Sequence, residues 1–246
     1  MKKPALSVVG IVLVLAVVVY VGLQFFLGSV VKAAVNKIGP RITQTKVELA
    51  SASLSPMSGA GTLNGLYVGN PTGWSSDKAF YLGTIHVDVK PFSIFGSHIV
   101  LNEVIIDNPE FVYETKLVAS NIGDLLKNIE EAVGGKKDDA ADKKDESPTK
   151  FEVKRFVLQN GRVTLGVGGA AMTLPMPPIT LNDLGTKEGG ITANQLAFAV
   201  MRSVTTSVVT ASTQAIGQIG GTMGAAAGET VKKTGEGIKK LFGGKK

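Results

Sequence analysis

The chain of 246 residues contains no cysteine. Disulfide staples, thiol nucleophiles and cysteine-ligated metals are excluded, so the fold must rest on apolar burial. Histidine is scarce: His86 and His98 are the only two. His86 has Asp88 two positions on in an alternating segment, a pairing that could serve a base or a metal but reads as a surface pair. Aromatic residues make up 6% of the chain, with Trp74 the sole tryptophan, in a polar loop. Basic residues are not interleaved with aromatics, which argues against a nucleic-acid partner. No nucleophile elbow, Walker loop, H-E-x-x-H or paired-carboxylate pattern occurs. The expectation is a protein that is not an enzyme and holds no cofactor or metal.

Charge is missing too, between Lys3 and Lys32. Ala5 to Leu27 is an apolar run whose helical length, about 34 Å, exceeds a hydrocarbon core of about 30 Å. Val8, Val9, Val12, Val14, Val17, Val18, Val19 and Val21 leave no polar face. The run is longer than the roughly 7–15 apolar residues of a secretory signal, and Lys32-Ala33-Ala34 is a poor cleavage site. Residues 1–31 are expected to be an uncleaved single-pass anchor, with Leu6, Val12, Leu15, Val19, Leu23 and Phe26 in lipid. Lys2 and Lys3 on one side and Lys32, Lys37 and Arg41 on the other nearly balance the positive-inside rule. A short tail ahead of a long domain places the domain outside the cytoplasm.

The remainder divides by pattern. Residues 32–133 read as strands and turns. Tyr81, Ile85, Val87 and Val89 alternate with Thr84, His86, Asp88 and Lys90, the period of a strand with one wet face. Asn70-Pro71 and Asn108-Pro109 punctuate. Residues 121–133 form one short packing helix, with Ile122, Leu125, Leu126, Ile129 and Val133 on a stripe, Asn121 as cap and Asp124 as its acidic partner. Residues 134–149 are a charged linker that cannot bury enough to order itself. Residues 150–190 form a second β-rich segment, in which Asn160-Gly161 suits a tight hairpin and Pro175-Met176-Pro177-Pro178 a stiff spacer. Residues 191–246 are a C-terminal helix and a basic amphipathic tail. Glu229–Lys246 has six lysines against two glutamates, +4 of the net +6. Lys232, Lys233, Lys239 and Lys240 flank Ile238, Leu241 and Phe242, a composition that could touch an anionic membrane surface.

The text repeats. Leu63–Pro71 aligns with Leu101–Pro109 at an offset of 38, Phe151–Gly161 is a fainter copy, and Thr180–Leu184 echoes Thr62–Leu66. Recurring strand–turn units predict one extended antiparallel sheet laid down unit by unit.

In order, the anchor, Ile99–Tyr113, Ser120–Leu126, Phe156–Thr164, Pro178–Gly185 and Ile191–Leu196 resemble a short member of the AsmA-like family of bacterial envelope proteins. The resemblance implies a sheet curved into an open groove with an apolar concave side, and a role in lipid transport or membrane maintenance. It implies an inner-membrane location with the C-terminal domain in the periplasm, membrane lipid as the main partner, and other envelope proteins as further partners. Val104-Ile105-Ile106 and Phe156-Val157-Leu158 are apolar on both strand faces; with Leu101 they are the candidate groove residues. The competing expectation is a membrane-tethered scaffold domain, a closed β-sandwich of the water-stress type with a filled core and no ligand.

Overall fold

The computed structural model describes residues 3–116, 119–134, 149–167 and 170–213. Helix α1 spans Lys3–Thr43, 41 residues. It runs past the expected end of the anchor at residue 31 because its second half has a partner, the edge strand β1 (Val47–Leu54). Gly28 makes this approach possible: a Cβ there would lie 2.1 Å from the Ala52 carbonyl oxygen. Along the same seam the Leu49 amide donates to Asn36 Oδ1 at 2.7 Å. Tyr20 and Ser55 share a hydroxyl–hydroxyl hydrogen bond of 3.0 Å at the other end.

Strands β2 (Ala60–Gly69) and β3 (Lys78–Val89) continue the sheet as antiparallel neighbours. A 3-10 turn at Ser93–Phe95 leads to β4 (His98–Asp107), and after Asn108-Pro109 to β5 (Glu110–Tyr113). The short strands β6 (Thr115–Lys116) and β7 (Ala119–Ser120) pair with each other ahead of helix α2, Asn121–Gly134. Strands β8 (Lys150–Gln159), β9 (Arg162–Val167), β10 (Ala170–Pro175) and β11 (Ile179–Leu184) follow, and a third helix, α3, covers described residues 193–213.

The protein is mainly β, and its nine-stranded sheet is open. A closed sandwich is therefore not what forms. Nor is the sheet wholly antiparallel. β4 pairs β8 and β5 pairs β9 in parallel, with the register held at Ile106↔Leu158 and Phe111↔Val163. Parallel pairing requires the chain to cross back between the two copies, and α2 lies in that crossover. The faint repeat is thus a pair of in-register neighbours. Asn160-Gly161 is not a hairpin: β8 and β9 do not pair with each other but prolong one bent strand beside β4 and β5.

The bend has a sequence cause. Gly65, Asn108 and Asn160 take left-handed backbones with φ of 66°, 52° and 54°, a conformation that glycine and asparagine tolerate best. Pro109 and the Pro175–Pro178 spacer lie on the same line, since Arg162 pairs with both Glu110 and Pro175. Buried positions change parity across it: Leu82 to Ile85 in β3, Ile106 to Phe111, and Leu158 to Val163. On an unbroken pleat an odd spacing would exchange faces. Here the strands bend along the line, and residues from both sides of it join one core with Ile122, Leu125 and Ile129 of α2 and Met201, Val204 and Val208 of α3.

Candidate functional site

The first half of α1 touches little. Leu13, Val14, Leu15, Val17, Val18 and Val19 are 58–63% exposed, a density of bare aliphatic surface that water does not tolerate on a folded protein. Leu13–Thr43 is long and apolar enough to cross a membrane. Of the expected lipid-facing residues, Leu15, Val19, Leu23 and Phe26 are exposed, and Leu6 and Val12 lie in the same helix. Past the Tyr20–Ser55 contact, Leu27 is buried with Leu54 and Val89 in a small separate core.

The seven candidate residues, Leu101, Val104–Ile106 and Phe156–Leu158, come together. Val104, Ile105 and Ile106 stand beside Phe156, Val157 and Leu158 in the central parallel pair, and Leu101 pairs with Val153. Val104, Ile106, Phe156 and Leu158 are buried in the main core shared with α2 and α3. Ile105 and Val157 alternate to the other face, between His86 on β3 and Thr180 on β11. Val157 is buried there without belonging to the main core; Ile105 is half-buried. The central pair is thus apolar on both sides, and its inner side lies under the chain's own helices.

His86 and Asp88 are exposed on β3. His98 Nε2 sits 3.5 Å from Glu152 Oε2. Among the described residues no group of three His, Asp or Glu is placed to hold a metal ion. The polar cluster that does form lies at the end of the sheet away from the anchor, and it locks the loop after β2. Asn121 is wholly buried; its Nδ2 donates to Asn70 Oδ1 and to the Val112 carbonyl, each at 2.8 Å, and its Oδ1 accepts the Glu114 amide at 2.9 Å. Asn121 is therefore a strut, and the cap of α2 is Ser120, whose Oγ accepts the Gly123 amide at 3.1 Å. Glu114 accepts the Ser75 and Ser76 amides at 2.9 and 2.8 Å and the Ser75 hydroxyl. Burial raises the Glu114 pKa, but these hydrogen bonds to the carboxylate prevail and hold it at about 2. Trp74 packs under this loop rather than standing free. Its Nε1 donates to Asp124 Oδ2 at 2.9 Å, and Lys116 Nζ lies 4.5 Å from its ring centre. Sequence pattern alone missed Glu114 and gave Asn121 the role of a cap, although Asn70-Pro71 marked the loop they tie down. Asn70, Glu114, Asn121 and Asp124 each have a hydrogen-bond partner within the cluster.

Compared with protein families, with curated proteins and with solved structures, the chain matches none. The basic tail, Lys232, Lys233, Ile238, Lys239, Lys240, Leu241 and Phe242, lies outside the described residues, as does most of the charged linker.

Proposed function

We propose that this is a single-pass, membrane-anchored, non-enzymatic protein that binds or shields lipid on an apolar sheet. The carrying observation is the central parallel pair, where Val104-Ile105-Ile106 lies beside Phe156-Val157-Leu158, apolar on both faces in a sheet that does not close. A sheet that merely faced water on one side would alternate. With the resemblance to AsmA-like envelope proteins, this reading puts the body in the periplasm, tethered to the inner membrane, with a part in lipid transport or membrane upkeep. Lipid is the main partner and larger envelope proteins the further ones.

The burial of Val104, Ile106, Phe156 and Leu158 beneath α2 and α3 favours a second reading, a tethered interaction domain whose core is already full. Mass spectrometry of lipid retained by the detergent-purified chain separates the two. Lipid enriched over a control single-pass protein, and reduced by Ile105→Asp, is the outcome expected for lipid handling. Retention equal to the control, with no binding of an apolar dye such as ANS, would leave the filled-domain reading standing.

A further inference from the structure

Three large apolar side chains outside α1 stand exposed at one end of the sheet. Met57 is 72%, Phe92 71% and Phe95 60% exposed. They belong to two neighbouring turns, 55–59 between β1 and β2 and 90–97 between β3 and β4. The turns are joined: the Val89 amide donates to the Gly59 carbonyl at 2.9 Å. The contact is so close that a Cβ on Gly59 would fall 1.8 Å from the Val89 oxygen. Phe92 holds a left-handed backbone, φ 66°, which is costly for a bulky side chain.

This end of the sheet is also where α1 leaves the body, fixed by the Tyr20–Ser55 hydrogen bond. The length of helix beyond that point matters. Lys3–Val19 is about 17 residues, or about 26 Å, short of a hydrocarbon core of about 30 Å. The bare apolar surface moreover runs past Tyr20 to Leu23 and Phe26, which are 38% and 63% exposed, and the first following charge is Lys32. A bilayer that covers this surface reaches beyond Tyr20 and so meets the turn bearing Ser55 and the one beside it.

We infer that the paired turns carrying Met57, Phe92 and Phe95 are a membrane-inserting foot, immersed in the boundary of the same bilayer that α1 crosses. The inference rests on α1 being a membrane anchor. Phe and Met side chains then rest at the acyl boundary, as on an interfacial apolar surface, while Tyr20 takes the belt position favoured by amphipathic aromatics.

The test uses the full-length chain in phosphatidylcholine vesicles, with and without brominated acyl chains. Phe92→Trp and Phe95→Trp are made separately, and wild type, whose single tryptophan lies at the far end of the sheet, is the reference. The emission added by either substitution should fall at least twofold in brominated vesicles, while wild-type emission stays unchanged. Vesicle flotation is read on the same samples. Chain that floats with vesicles but shows no quenching at either substituted position overturns the foot and leaves the anchor intact. Chain that does not float at all removes the anchor, and the foot with it.

Discussion

Asn160 donates from Nδ2 to Asp107 Oδ1 at 2.7 Å, bridging two neighbouring parallel strands at the point where both bend. Asn108 reaches the other oxygen of the same carboxylate, also at 2.7 Å. One aspartate therefore ties together the two left-handed asparagines of the crease. Asn160→Val removes the hydrogen bond and puts a β-branched residue at φ 54°. A loss of about 2–3 kcal/mol is expected from the left-handed penalty and the missing bond together. Asn160→Gly, which keeps the backbone free, should lose only about 1 kcal/mol. Denaturant unfolding in detergent micelles, monitored by circular dichroism, reads both.

The seam between α1 and β1 gives a matched pair of glycines. Gly28 faces the Ala52 backbone, while Gly22 has open space around it. Gly28→Val should destabilise the body by about 1–3 kcal/mol, the range for overpacking a tight contact, and should expose β1 to protease. Gly22→Val should do neither. Limited proteolysis followed by mass mapping distinguishes them, and equal effects at both positions would contradict the docking of α1.

Truncation along the α2 stripe should grade with burial. Leu125→Ala, at a position with no exposed surface, is expected to cost about 2–5 kcal/mol. Val133→Ala lies on the same sequence stripe but is exposed, so it should change stability by about 0.5 kcal/mol or less. Thermal unfolding of the two variants in one detergent gives the comparison.

Glu114 supplies a pH signature. Its folded pKa is depressed from 4.5 to about 2. Its contribution to stability is therefore complete above about 4.5 and is lost as pH falls toward 2. The loop around Trp74 should hold its fluorescence down to about pH 3 and release below that, with a red shift as the indole meets water. Glu114→Gln puts an amide donor against either the Ser75 or the Ser76 amide, which donate to different oxygens of Glu114, and should show the released spectrum at neutral pH.

Local signals in the sequence mapped well onto the structure, and those that depend on distant partners did not. The α2 stripe, the alternation over Ile85–Val89 and the break at Asn108-Pro109 lie where periodicity and proline geometry put them, while Tyr81, across the crease, leaves the buried face to Leu82. The bend at Asn160-Gly161 looked like a hairpin because a left-handed asparagine serves both purposes; only the neighbouring strand decides between them. Parallel pairing was hidden for the same reason, since Ile106 and Leu158 are brought together by a crossover and not by a turn. Lys32, Lys37 and Arg41 marked the end of the lipid-soluble segment but not the end of the helix, which the docking along β1 carries on to Thr43. The candidate groove residues were found by composition, but their cover, α3, has a weak small-residue stripe that gave no hint of where it would pack.

Because α1 passes without interruption from the apolar segment into its seam with β1, the body has no swivel. A flexible tether would let a domain sweep over the bilayer surface. This one would stand like a post, its long axis tied to the tilt of the helix. The 12-residue β3, about 40 Å along its contour and shortened by the bend at the crease, carries it away from the foot. The Trp74 loop at the top would then be held at a fixed height above the lipid, and anything that meets it would have to come from that height.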